Sequence, residues 1–315
     1  VPGAIDLAAE ALTQGVVATF VVELVIRLVP VEAPGARFHY RLAALAAPLA
    51  ASAGFALAAP FRGDSWFMDT SVFSSVRWQA FRLGPIGARD AALAAGLAAG
   101  AVLLARDIAR LLRHFRDERR HEAAPARLDP PAAVQAIVEE LSDRLGIRPP
   151  ALLVVARDAH DLHCRGWRRP LVVVSAATLD ALEADELRAA LAHELAHIGH
   201  RDVLRAWLLL ALRALQVFNP LAQVVGRRAA HELEWRADDR AAAVTGAPLA
   251  LARGLIRAAR GRRDDFLGIS GRGRFRALEE RCRRLLSAPP PPDAACRAEV
   301  ALLWGGLLAL LFFVR

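Results

Sequence analysis

The stretch Glu186-Leu-Arg-Ala-Ala-Leu-Ala-His193-Glu194-Leu-Ala-His197-Ile-Gly-His200-Arg-Asp202 constrains this chain more than any other. His193 and His197 are four positions apart, so on an α-helix both imidazoles share one face and can meet one metal ion. Glu194 follows the first histidine and can reach a water on that ion. Leu187, Leu191 and Leu195 repeat every four residues, and no Gly or Pro interrupts them before Gly199. The spacing predicts a helix starting near Ala184, with Asp185 and Glu186 favourable in its first turn.

A catalytic zinc takes three protein ligands and keeps a fourth position open for water. The third candidate lies in His231-Glu232-Leu-Glu234-Trp-Arg-Ala-Asp238, on a helix expected from about Arg227 to Val244. At about 100° per residue, Glu232 points roughly 200° away from Glu234, whereas His231 falls on nearly the same face. Geometry alone therefore leaves His231 in play. Asp238, one turn beyond Glu234, is positioned to accept a proton from the outer nitrogen of a ligating histidine, and that favours Glu234. The expected site is one zinc per chain, held by His193, His197 and Glu234. Glu194 is then the general base toward a metal-activated water. Arg281 or His231 would supply a donor to the tetrahedral intermediate, and the sequence does not choose between them.

The setting is apolar. Hydrophobic residues make up 55% of the chain, mean hydropathy is +0.29, and the apolar residues cluster. Membrane spans are expected at 11–29, 42–60, 91–105 and 298–314. Glu23 and Arg27 share a helical face and read as a pair near the membrane edge. Gly96 and Gly100 form a GxxxG pair suited to close helix contact. Residues 61–90, with Trp66, Phe67, Phe73, Trp78 and Phe81, read as an interfacial loop or amphipathic helix. Residues 203–225 are apolar again, interrupted by Arg205 and Arg213 and broken at Asn219-Pro220. They read as a fourth membrane segment or a buried hairpin, with Arg213 favouring a partly embedded or buried helix.

All the basic residues are arginine, and net charge is +8. An Ala- and Arg-rich composition weakens any nucleic-acid reading, including one of the Gly/Arg-rich stretch 261–275. The run Arg106, Arg110, Arg113, Arg116, Arg119, Arg120 instead marks a cytoplasmic side. That places the N-terminus and 61–90 outside. The N-terminus lacks the pattern of a secretory signal peptide. Cys164, Cys282 and Cys296 form no CxxC, which fits a reducing compartment.

After Pro131 an amphipathic helix is expected, with Val134, Ile137, Val138, Leu141 and Leu145 on one face, closed by Gly146. Ala151–Ala156 and Leu171–Val174 read as strands. Asp158–Pro170 between them reads as a loop whose His160, His163 and Cys164 lack metal-ligand spacing. Leu278–Leu286 reads as a helix and Pro289–Pro292 as a stiff linker. The fold expected is a mainly α membrane protein, with transmembrane helices plus an α+β zincin domain. Its parts are a three-span membrane domain at 1–116, a cytoplasmic-facing protease domain at 117–290 that includes 203–225, and a linker with a final transmembrane helix at 291–315.

The segments "LGIRPPALLVV", "RPLVVVSAATLDALEADELRAALAHELAHIGHRD" and "ELEWRADD" resemble the integral-membrane gluzincin metallopeptidases. Two related groups fit: the CAAX prenyl protease/HtpX group and the bacterial beta-lactam-sensor antirepressor peptidases. The second adds "FNPL" at Phe218–Leu221. The resemblance covers about residues 130–286. It implies His193, His197 and Glu234 on zinc, Glu194 in catalysis, Asp238 behind a zinc histidine, and Arg281 in "LEERCRRLL" as a downstream arginine. The strand-loop segment of the prenyl-protease group is replaced here by Asp161-Leu-His-Cys164. A penicillin-binding sensor domain after the last span, and with it a beta-lactam signal, is not expected.

The leading expectation is thus a membrane-embedded zinc endopeptidase in the bacterial inner membrane with its site facing the cytoplasm. Its partners would be a peptide or protein substrate and the bilayer, with no nucleic acid and with a homodimer left open. A second reading is a signal-transducing antirepressor protease that cleaves itself or a repressor. A third is a non-enzymatic membrane scaffold whose structural zinc is closed by a further ligand such as His200 or His231.

Overall fold

The structure is a computed structural model. It describes residues 3–29, 31–64, 66–67, 71, 81–122, 127–156, 160–261, 271–287 and 297–314. Phe73, Trp78, Cys296, Pro289–Pro292 and most of 261–275 lie outside them. The chain divides into two compact units. One is Val1–Ala105 with Leu208–Glu232 and Pro292–Arg315; the other is Arg106–Trp207 with Leu233–Pro291.

The first unit contains α1 (Ala4–Leu28), α2 (Pro34–Ala58) and the apolar part of α3 (Ala88–Glu122). All three are long and apolar enough to cross a membrane. A two-residue hairpin, β1 (Arg82–Leu83) with β2 (Ile86–Gly87), precedes α3. Small buried residues on α1 and α2, among them Ala9, Ala18, Ala43, Ala44, Ala47 and Ala51, permit close helix approach.

Several charges inside this unit are paired. Glu23 meets Arg41 at 2.9 Å and Arg228 at 2.9 Å, in place of the local Glu23–Arg27 pair that the helical spacing suggested. Arg41 also contacts Glu232. Arg62 pairs with Glu10 at 2.8 Å and donates to the Phe312 and Val314 carbonyls, which end the last helix.

The second unit holds a four-stranded sheet, in the order β3 (Arg127–Leu128), β4 (Ala151–Val155), β6 (Leu171–Ser175), β5 (Leu162–Arg165). β4 and β6 are parallel, and β5 pairs antiparallel with β6 as an edge strand. The segment read as a loop thus contains a strand. Only four residues pair, one of them a histidine, so periodicity gives no signal. Gly166, at φ +79, supplies the turn, and a Cβ there would meet the Arg169 carbonyl oxygen at 2.6 Å.

Helices cover this sheet: α4 (Ala132–Leu145), the short α5 (Ala176–Ala181), and α6 (Ala184–His200). The core joins Val138 and Leu141 of α4 to Val172 of β6 and to Leu187, Leu191 and Leu195 of α6. Further helices follow: α7 (Asp202–Leu215), α8 (Pro220–Thr245), α9 (Pro248–Gly261), α10 (Gly271–Leu285) and α11 (Arg297–Phe312).

The units part company with the sequence-based boundaries at 203–225, because Leu208–Glu232 groups with the apolar helices. Gln216 Nε2 donates to the Leu45 carbonyl of α2 at 2.6 Å. Gly96 and Gly100 of α3 lie against the Phe218 and Val217 carbonyls.

Candidate active site

Helix α6 is fixed at both ends. Glu186 reaches back to the Glu183 backbone N–H at its start. Arg201 ends it in the left-handed region at φ 55, after which Asp202 opens α7. Leu187, Leu191 and Leu195 turn into the core, which places the His193–His197 face toward α8.

On that face the two Nε2 atoms stand 3.1 Å apart. Glu234 of α8 completes a triangle, with Oε2 3.7 Å from His193 Nε2 and Oε1 3.7 Å from His197 Nε2. Two donors at about 2.0–2.1 Å from a tetrahedral zinc stand roughly 3.3 Å apart, and the observed separations bracket that value. Among the described residues these three are the converging metal-donor set. His200 and His231 do not belong to it, and His231 falls in the other compact unit.

An acid stands beside each outer nitrogen. His193 Nδ1 lies 2.9 Å from Asp238 Oδ1. His197 Nδ1 lies 2.9 Å from Asp202 Oδ2. Both carboxylates are buried, and each is held by arginine. Arg281 grips Asp238 with Nε and Nη2, both at 2.7 Å, and sends Nη1 to Glu234 at 3.1 Å. Arg236 meets Asp202 at 2.6 Å and Arg205 meets it at 3.0 Å. A proton on each Nδ1, facing its carboxylate, would leave both Nε2 lone pairs directed inward, the tautomer a metal requires.

The electrostatics fit a site built for positive charge. Burial opposes ionisation of Glu234, but His193, Arg281 and His197 hold its carboxyl well below the usual range. Asp238 is lowered against burial by Arg281 and His193, and Asp202 against burial by His197 and Arg236. Burial disfavours a charged His193, yet Asp238 and Glu234 raise it to about 10 in the metal-free protein. His200 goes the other way, down to about 4, through burial and the Arg236 charge.

Glu194 is held by the neighbouring edge strand. Its Oε2 accepts the backbone N–H of Cys164 on β5 at 2.8 Å. Burial and the adjacent Glu194 carboxylate push the Cys164 thiol well up, so the thiol stays neutral. Neither Asp202 nor Cys164 had been assigned a role at this site. The signal for Asp202 was available: an acid five residues past His197, just beyond a helix end. Contact between Cys164 and Glu194 depends on β5 pairing, which the sequence pattern did not reveal.

Comparison with known proteins gives the same direction. The chain is 31% identical over 156 residues to a protein named Protease HtpX homolog from Acidiphilium cryptum, covering 39% of this chain and 54% of that one. It is 39% identical over 69 residues to Protease HtpX of Cellvibrio japonicus, covering 21% and 24%. It is 37% identical over 90 residues to a Protease HtpX homolog of Halobacterium salinarum, covering 28% of each. The chain spans about half or less of the length of these relatives. The model of the BlaR1 peptidase M56 family matches residues 10–247, three quarters of the chain. With its apolar N-terminal helices and small sheet, this mainly α-helical membrane protein belongs to the BlaR1 peptidase M56 family.

Proposed function

We propose that the chain is a zinc-dependent endopeptidase. The observation that carries the reading is the convergence of His193, His197 and Glu234, with a buried carboxylate 2.9 Å from the outer nitrogen of each histidine. Zinc held by these three residues would supply Lewis acidity and lower the pKa of a water there to about 7.

The chain's own residues supply the rest. Glu194 takes a proton from the attacking water and returns it to the leaving amine, with the Cys164 N–H orienting the carboxylate for both transfers. Asp238 and Asp202 hold the histidine rings against rotation. Arg281 turns Nη1 to Glu234 and Nη2 to within 3.4 Å of His193 Nε2, which keeps positive charge at the rim where an oxyanion develops. It is preferred over His231 for that role. Edge strand β5 offers backbone groups to an extended peptide, which would add as a further strand. The arginine-rich continuation of α3 supports a site on the cytoplasmic side of a bacterial inner membrane.

The test is metal analysis and cleavage of an unstructured substrate such as casein by the purified protein in nanodiscs. The expected result is one zinc per chain and proteolysis that a chelator stops. Glu194→Gln should keep the zinc and lose about 10²–10⁴-fold in turnover. Unchanged turnover in that variant would overturn the mechanism.

A further inference from the structure

Helix α7 is amphipathic the wrong way round for a helix in water. At about 100° per residue, Leu204, Trp207, Leu208, Ala211 and Leu215 fall within roughly a 100° arc, and all five are exposed. Leu215 is 63% and Trp207 51% exposed. The opposite face carries Asp202, Arg213 and Gln216, and all three are buried. Across the turn, Leu221 and Val224 of α8 are exposed as well. A soluble helix buries its apolar stripe. This one presents it outward and keeps its polar groups inside.

The turn between α7 and α8 packs at mid-height among the three long apolar helices. Gln216 reaches the carbonyl of Leu45, the twelfth of 25 residues in α2. Asn219 lies against Gly15, the twelfth of 25 residues in α1. The Val217 carbonyl lies against Gly100, the thirteenth of 26 residues in the apolar stretch of α3. Three helices thus place the turn at the same depth, halfway along each.

The length agrees. From Leu204 to Leu215 α7 rises about 16 Å at 1.5 Å per residue, close to half of a hydrocarbon core about 30 Å thick. The polar groups of the turn are satisfied from within. Gln223 Nε2 donates to the Arg213 carbonyl at 2.9 Å, and Arg213 Nε donates to Gln223 Oε1 at 3.1 Å. The Leu221 N–H donates to Asn219 Oδ1 at 3.1 Å. Non-helical backbone at membrane depth requires that kind of internal satisfaction.

We propose that Leu204–Val225 is a re-entrant membrane hairpin: it enters the bilayer and leaves by the same face, its turn lies at the midplane, and its exposed stripe is covered by lipid acyl chains. The hairpin joins the helix that bears His193 and His197 to the helix that bears Glu234, so the chain leaves and rejoins that part of the protein at one membrane face. The hairpin's place in the bilayer does not depend on catalysis.

The test uses the full chain in nanodiscs of phosphatidylethanolamine and phosphatidylglycerol, with Cys164, Cys282 and Cys296 replaced by serine. Nitroxides are attached singly at Leu208→Cys, Leu215→Cys and Leu221→Cys. Leu97→Cys, exposed in mid-α3, is the lipid reference, and Arg144→Cys, exposed on α4, is the water reference. Collision with oxygen relative to a water-soluble nickel chelate should rise several-fold from 208 to 215 and 221, which should match position 97. Values matching position 144 at 208 and 215 would overturn the lipid contact. In proteoliposomes, Leu221→Cys should resist an impermeant maleimide from either side. Labelling of 221 from the side opposite to that reaching position 144 would mean a full crossing and would overturn re-entry. All three test positions are exposed, so substitution leaves the packing intact.

Discussion

Asp202 Oδ2 lies 2.9 Å from His197 Nδ1, while the same carboxylate takes Arg236 at 2.6 Å through Oδ1. It is the counterpart, for the second histidine, of what Asp238 does for the first. The two acids come from different helices, α7 and α8. Asp202→Asn and Asp238→Asn should each weaken zinc binding about 10–100-fold, the usual cost of losing an outer partner. Competition against a chromophoric chelator measures this directly. The double variant should fall further than either single one.

The third donor can be separated from its neighbours. Glu234→Ala should empty the site, because it removes the anionic corner of the triangle. His231→Ala should keep zinc at full stoichiometry. Zinc lost in His231→Ala but retained in Glu234→Ala would reverse the assignment.

Glu232, two residues earlier, behaves differently again. It is buried against Arg41, and it is not one of the three residues grouped as a possible metal site. Glu232→Ala should cost stability on the order of 3 kcal/mol, because a buried charge loses a partner, and should leave zinc affinity unchanged. A thermal melt beside a zinc titration distinguishes the two effects.

The grouping of His193, His197 and Glu234 was legible because helical spacing is a local property: His193 and His197 needed only one turn, and Glu234 with Asp238 only another. The three long apolar helices were equally plain in hydropathy. What escaped was non-local. The Glu194–Cys164 contact depends on four residues pairing with β6. Glu23 finds Arg41 and Arg228 across helices rather than Arg27 along its own. The stretch 203–225 could not be placed, because a stripe of leucines looks alike whether it faces a protein core or lipid. Only the exposure of that stripe, with Arg213 turned inward, tells them apart.

The metal-free protein should have a stability optimum near pH 6.5. His193 is raised from an ordinary value near 6.5 to about 10. Its contribution is therefore full below 6.5 and is lost as pH climbs toward 10. Glu234, Asp238 and Asp202 are lowered, so their contribution is present above about 4.5 and is lost as pH falls. His200, held down to about 4, adds a further loss between 6.5 and 4, because the unfolded chain takes up that proton first. Melts of chelator-treated protein from pH 4 to 9.5 should trace this dome. A curve that rises steadily to pH 9.5 would contradict the His193–Asp238 pairing.

The packing of the α7–α8 turn gives the last prediction. A Cβ at Gly100 would lie 1.8 Å from the Val217 carbonyl oxygen, and one at Gly96 would lie 2.3 Å from that of Phe218. Both obstacles are backbone, so no side chain can swing aside to relieve them. Gly100→Ala must push α3 and the turn apart, at about 1–3 kcal/mol for overpacking a close contact. Gly305 of α11 is the control, because nothing lies within 4 Å of its Cβ position. There alanine relieves the helix cost of glycine, about 1 kcal/mol. Gly100→Ala should therefore lower the melting temperature, and Gly305→Ala should hold or raise it. The same sign in both variants would show that the α3 glycines do not seat the turn.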